Sequence, residues 1–125
     1  MITTRLKICL QHKSPMGRNT ELSIVCMNIR SIPRNLEEFC MDFNIPGSST
    51  DIIDFTETWL NEDLQPVFPV PSYNYFCNSR STRGGGLALY IKNILCAREI
   101  DQFSVMTPSL ESLFVKITWG TNLSC

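Results

Sequence analysis

Histidine is nearly missing from this chain, which has one, His12, in 125 residues. Its six cysteines, at 9, 26, 40, 77, 96 and 125, form no close pair. A zinc site wants closely spaced Cys or His ligands, so that chemistry is not expected. No apolar run approaches the ~18 residues of a membrane-spanning helix. No secretory signal is legible, and Cys26, Cys40 and Cys96 sit in apolar segments, where a reduced thiol behaves as a small hydrophobe. The cysteines are therefore expected as free thiols in a reducing compartment. The chain is expected in the nucleus or cytoplasm, neither secreted nor bound to a membrane. Internal repeats and low-complexity tracts are also lacking. The net charge of -1 is not the footprint of a strong non-specific nucleic-acid binder.

What is present fits one folded domain: 43% apolar and 18% charged residues. Charge is uneven along it. Residues 1–20 hold Arg5, Lys7, Lys13 and Arg18 and no acid. That stretch is poor in acids, as a transit peptide is, but Pro15 and Gly17 spoil an amphipathic helix, so a flexible basic extension is expected. From Asn35 to Ser79 there is no Lys or Arg, while Glu37, Glu38, Asp42, Asp51, Asp54, Glu57, Glu62 and Asp63 all fall there. Arg80, Arg83, Lys92 and Arg98 follow before the next acid, a strip that is either solvated surface or a phosphate-facing edge.

The periodicity predicts alternating elements. Leu22 to Met27 is nearly continuous apolar sequence, the pattern of a strand covered on both faces. Ser31 reads as a helix cap with Pro33 in the first turn. Leu36, Phe39, Cys40 and Phe43 then recur at helical spacing until Pro46-Gly47. Asp51 to Thr58 reads as a strand, and 61–72, with three prolines, as a loop. Tyr73–Cys77 and Gly86–Lys92 read as antiparallel strands joined by a turn over Arg80–Gly85. A weaker strand covers Ile94–Ile100, and Leu113, Val115 and Ile117 mark the last.

A strand's period of two puts Leu22, Ile24, Cys26 and Asn28 on one face, Ile53, Phe55 and Glu57 on another, and Glu111, Leu113, Val115 and Ile117 on a third. Each face is apolar and is continued by a polar group. A buried carboxylate is costly unless paired, protonated or bound to a cation. Polar groups gathered at strand ends of an α/β sheet are where such folds place sites. The residues alone leave two readings open: a gathered site, or a Glu57 paired with an arginine and an Asn28 that caps a turn.

Three motifs stand in order: Met27-Asn28-Ile29-Arg30-Ser31, Thr56-Glu57-Thr58-Trp59-Leu60, and Gly84-Gly85-Gly86 running into Leu87-Ala88-Leu89-Tyr90-Ile91-Lys92. Over about Leu22 to Ile117 they resemble the first half of the endonuclease/exonuclease/phosphatase domain, in the version carried by non-LTR (LINE-type) retrotransposons. The resemblance implies an α/β protein, an incomplete four-layer α/β sandwich of about half the domain. Its parts would be a basic extension (1–20), a partial domain (21–118) and a truncated tail (119–125). It implies that Glu57 is a direct Mg²⁺ ligand, with Mn²⁺ as an alternative ion, and that Asn28 contacts the metal site and the scissile phosphate. Glu111 resembles a glutamate that supports an active-site histidine. The implied activity is nicking of target DNA to prime reverse transcription. The implied partners are DNA and, in a longer chain, the rest of a polyprotein with reverse transcriptase.

Bland readings stand beside these. Trp59 is expected to fill core. The glycine triplet lacks the P-loop pattern and is expected to serve turn geometry and close backbone approach. The family's later tyrosine, Asp-x-Asn pair and terminal Ser-Asp-His-type motif have no counterpart after Ile117, and His12 does not match the terminal histidine. The isolated chain is therefore expected to be inactive. The alternatives are a non-catalytic fragment or binding module, and another branch of the fold, an abasic-site nuclease or a phosphatase.

Overall fold

The computed structural model describes residues 3–13, 22–45, 47–60, 68–79, 84–107 and 110–120, with the backbone alone at 3–13, 106, 119 and 120. Within these residues the protein is mixed α/β. In chain order the elements are β1 (Thr3–Lys13), β2 (Ile24–Asn28), α1 (Ile32–Asp42), β3 (Ile52–Thr56), β4 (Tyr73–Asn78), β5 (Leu87–Lys92), β6 (Cys96–Glu99), β7 (Val105–Met106) and β8 (Leu110–Gly120). Two four-stranded sheets result. The first runs β2-β3-β5-β4, with β2 and β3 parallel and the other pairs antiparallel. The second centres on β8, which pairs with β1 in parallel and with β6 and β7 antiparallel.

Three layers follow from the faces of these sheets. A parallel pair needs a crossover, and α1 supplies it between β2 and β3. Ser31 caps the helix as expected, its Oγ accepting from Arg34 N at 3.3 Å. The helix lays Ile32 and Phe39 on Ile53, Phe55, Ala88 and Tyr90 of the first sheet. Phe39 meets Phe55 edge-on at 4.8 Å, and Phe55 meets Tyr90 at 5.8 Å. The other face of that sheet, Ile52, Leu87, Leu89 and Ile91, packs against Leu113, Val115 and Ile117 of β8. Each side chain of this size, fully buried, contributes roughly 1.5–3 kcal/mol.

Several expectations need correction. The basic opening segment is not a loose extension over its whole length: Thr3–Lys13 forms β1, paired along β8 from Thr3↔Leu110 to Lys13↔Gly120. The sequence reason is the alternation of Leu6, Ile8 and Leu10 with Arg5, Lys7 and Cys9, a strand period that the charge count obscures. Trp119 and Gly120, read as the start of a truncated tail, belong to β8, and 121–125 lie outside the described residues. β2 is not covered on both faces. It is an edge strand, and Ile24, Cys26 and Asn28 are exposed because β8 passes over β5 and β4 instead. The cysteines are not all free: Cys26, Cys40 and Cys77 are thiols, but Cys96 is disulfide-bonded. Sequence spacing says nothing of which cysteines a fold brings together. The loop expected over 61–72 is described only from Phe68, where no helix or strand forms, and residues 80–83 of the expected turn also fall outside.

Asp54 introduces a charge into the layer between the sheets. It stands between Cys26 of β2 and Leu89 of β5, 8% exposed, and its Oδ1 has no hydrogen-bond partner. Burial pushes its carboxyl up from 3.8 to about 6, against a smaller lowering by a hydrogen bond with the Cys26 thiol. The folded chain then holds this proton more tightly than the unfolded chain. The contribution to stability is complete below about pH 4 and is lost as pH rises through about 6, by at most ~3 kcal/mol. Glu99, raised to about 7 by burial and by Asp101, gives a slope of the same sign. The readout is therefore the difference between wild type and Asp54→Asn in urea unfolding from pH ~4 to ~8. The variant is expected to be the more stable at neutral pH and to show the shallower decline. Parallel profiles would mean that Asp54 does not titrate in this window.

Candidate functional site

Three chain reversals meet at one end of the first sheet: Ile29–Ser31 between β2 and α1, Glu57–Leu60 after β3, and Gly84–Gly86 before β5. Backbone hydrogen bonds interlock them. Ile29 N donates to Thr56 O at 3.1 Å, Ser31 N to Glu57 O at 2.9 Å and Ile32 N to Thr58 O at 2.8 Å. On the other side Trp59 N donates to Gly85 O at 2.9 Å and Thr58 N to Gly86 O at 3.4 Å. The cost is left-handed backbone. Arg30, Ser31, Glu57 and Trp59 have φ of 50°, 94°, 54° and 55°, and the three glycines 88°, 68° and 95°. Among the described residues only Asn44 and Ser72 share that conformation elsewhere. Non-glycine residues held this way are strained, and such strain clusters at functional sites.

The register places Asn28 beside Thr56, on adjacent parallel strands, with Glu57 one residue beyond. Asn28 is exposed, and its side chain makes no hydrogen bond with the described residues. The expectation that Glu57 continues the Ile53–Phe55 face does not hold. β3 ends at Thr56, Glu57 turns left-handed, and hydrogen bonds rather than the pleat orient its carboxylate. Glu57 Oε2 accepts from Trp59 Nε1 at 3.0 Å and from Gly85 N at 3.3 Å. Oε1 takes no hydrogen bond among the described residues.

Glu111 lies on the face of β8 expected for it, 1% exposed, beside fully buried Leu113, Val115 and Ile117. It is not a strand-edge carboxylate at the surface. Its Oε1 accepts from Gly86 N at 3.1 Å, across the gap between the sheets. Consecutive glycine amides therefore hold the two glutamates, one from each side. The structure thus brings Glu57 and Glu111 to one loop and sets Asn28 at the neighbouring strand end. Close backbone approach is the glycines' role, as expected: a Cβ on Gly86 would run into Thr58 Oγ1, itself buried without a partner.

One expectation fails here, and one residue went unrecognised in the sequence. Trp59 is 41% exposed and does not fill core. Asn35 donates through Nδ2 to Ile29 O at 2.8 Å and Arg30 O at 2.9 Å, clamping the strained turn. Periodicity gave no sign of either, because both act through specific polar atoms.

Among the described residues no three Asp, Glu, His or Cys side chains are grouped to hold a metal ion. The donors that are present still suit a hard cation. Among the described residues Glu57 has one carboxylate oxygen without a hydrogen bond and Asn28 has an unbonded amide, oxygen donors of the kind a hard cation takes rather than a zinc ligand set. A cleft of about 490 Å³ between α1 and Phe68–Pro71 is largely apolar and touches none of these residues. No helix among the described residues is long and apolar enough to cross a membrane. No family model, curated protein or solved structure matches the chain.

The glycine loop generates a paired prediction. Gly86→Ala meets both a left-handed φ and an obstructing hydroxyl, whereas Gly84→Ala meets the φ alone in open space. Backbone strain of this kind costs roughly 1–3 kcal/mol. Urea midpoints are expected to fall for both variants, and clearly further for Gly86→Ala. Equal losses would show that Thr58 yields freely.

Proposed function

We propose that Asn28, Glu57 and Glu111 belong to the first part of a Mg²⁺-dependent phosphodiesterase centre acting on DNA. It would be the centre of an endonuclease/exonuclease/phosphatase domain of the non-LTR retrotransposon branch. The observation that carries the reading is Glu57: a half-buried carboxylate fixed by two N–H donors at the end of a strand, with Asn28 at the end of the next. Supporting it, the helix–sheet–sheet layering is what the first half of a four-layer sandwich would supply. Arg30, exposed in the same reversal, is a donor suited to phosphate oxygens.

In this reading Glu57 would hold the cation, and Asn28 would contact the metal site and a phosphate oxygen through its side-chain amide. Bound Mg²⁺ would offset charge on the pentavalent phosphorus. Water attacks phosphorus in line with the 3′ oxygen. A P–O bond forms and the P–O3′ bond breaks; the water's proton must pass to a base, and the departing 3′ oxygen must take one up to leave as a hydroxyl. Glu111 is sequestered between the sheets and serves to hold Gly86. No histidine stands among the described side chains to act as the base, and a positioned base contributes ~10²–10⁴-fold.

The 125-residue chain is therefore expected to leave supercoiled plasmid intact in Mg²⁺ or Mn²⁺. A longer chain carrying the family's later motifs is expected to nick it, and Glu57→Gln in that chain to abolish nicking. Metal-dependent nicking by the short chain, lost on Glu57→Gln, would place the base within residues 1–125. A second reading, a non-catalytic binding module, is favoured by the absence of a three-member metal group among the described residues. Under it the longer chain would bind DNA and cleave nothing.

A further inference from the structure

Trp59 is held against the usual preferences of its side chain. It is 41% exposed, so apolar burial does not anchor it fully, and its φ of 55° is an outlier for a bulky residue. What fixes it is polar. Its backbone N donates to Gly85 O at 2.9 Å, and its indole Nε1 donates to Glu57 Oε2 at 3.0 Å. Gly85 N donates to that same oxygen at 3.3 Å. Glu57, Gly85 and Trp59 thus form a closed ring of hydrogen bonds. The ring occupies one carboxylate oxygen with two donors, and the other takes none among the described residues.

We infer that Trp59 is a positioning residue whose indole N–H sets the orientation of the Glu57 carboxylate toward a divalent cation. The inference rests on the reading of Glu57 as a metal ligand and adds the group that prepares it. A carboxylate free to rotate about its side-chain torsions must be ordered when a cation binds. One already fixed through Oε2 presents Oε1 without that cost. Partners of this outer kind typically alter metal affinity 10–100-fold. The indole reaches back to the residue two positions before it from a backbone held at a left-handed φ.

The test uses the 125-residue chain and Mn²⁺ alone as the probe. Wild type, Trp59→Phe and Glu57→Gln are compared by Mn²⁺ titration, by thermal unfolding, and by the ¹H–¹⁵N resonances of the two tryptophan indoles. Trp119 is an internal reference, since it lies eight residues along β8 from Glu111, about 26 Å at the strand rise. In wild type, Mn²⁺ is expected to broaden the Trp59 indole resonance well before that of Trp119. Trp59→Phe keeps an aromatic, though smaller, ring and loses the N–H. It is expected to unfold near the wild-type temperature and to bind Mn²⁺ about 10-fold more weakly. Glu57→Gln without metal is expected to shift the Trp59 indole resonance, a readout that needs no substitution at Trp59 and no bound ion.

If Trp59→Phe binds Mn²⁺ as wild type does while Glu57→Gln does not, the inference fails and the metal reading stands. If Glu57→Gln leaves Mn²⁺ binding unchanged, the metal reading fails and takes the inference with it. If Trp59→Phe does not fold, the indole resonance decides: one that Glu57→Gln fails to move overturns the inference.

Discussion

Two consecutive backbone amides, those of Gly85 and Gly86, tie the structure together. Gly85 N–H goes to Glu57, just past the end of β3 in the first sheet, and Gly86 N–H to Glu111 of β8 in the second. Their carbonyls accept from Trp59 and Thr58. One short segment thus satisfies donors and acceptors on four sides, and a backbone can do so only in the left-handed region with no Cβ in the way. A buried polar group left without its hydrogen bond costs about 1–3 kcal/mol, so each amide matters to the side chain it meets. The reversal after β3, and through it the turn before α1, is held to this segment.

The arrangement also explains why one end of the first sheet concentrates strain. Each of the three reversals is hydrogen-bonded to its neighbour before it can relax. Arg30 and Ser31 keep positive φ because Ile29, Ser31 and Ile32 are all bonded to the 56–58 segment and Asn35 clamps the carbonyls between them. The opposite end of the sheet carries no comparable cluster among the described residues.

Much of this was legible in the sequence. Period-two runs found β3, β4, β5 and β8, and Ser31 with Pro33 marked the start of α1, because these signals are local. The buried face of Glu111, Leu113, Val115 and Ile117 was readable from spacing alone. What escaped depends on non-local partners. β1 has strand alternation, but only β8 decides whether it pairs, and a basic composition pointed elsewhere. β2 reads as fully buried because its composition is apolar, while its position at the edge is a matter of topology. Glu57 could be singled out at a strand end, but not its direction. One left-handed residue breaks the alternation on which face assignments rest, and the indole that orients it is exposed, where tryptophan is not sought.

The pairing of β1 with β8 sets an order of events. Thr3 and Leu110 are partners, 107 positions apart (110 less 3), whereas β2, α1 and β3 close over some thirty residues. Long-range parallel pairing must meet its loop-closure entropy before it gains contacts, so it is intrinsically slow. During synthesis the β2–α1–β3 unit is complete while β8 has yet to leave the ribosome. β1 then waits as an unpaired edge, with Leu6, Ile8 and Leu10 in alternation, for a strand that arrives last. The interval in which it can find a wrong partner is fixed by translation speed, and slowing the ribosome between residues 60 and 110 lengthens it.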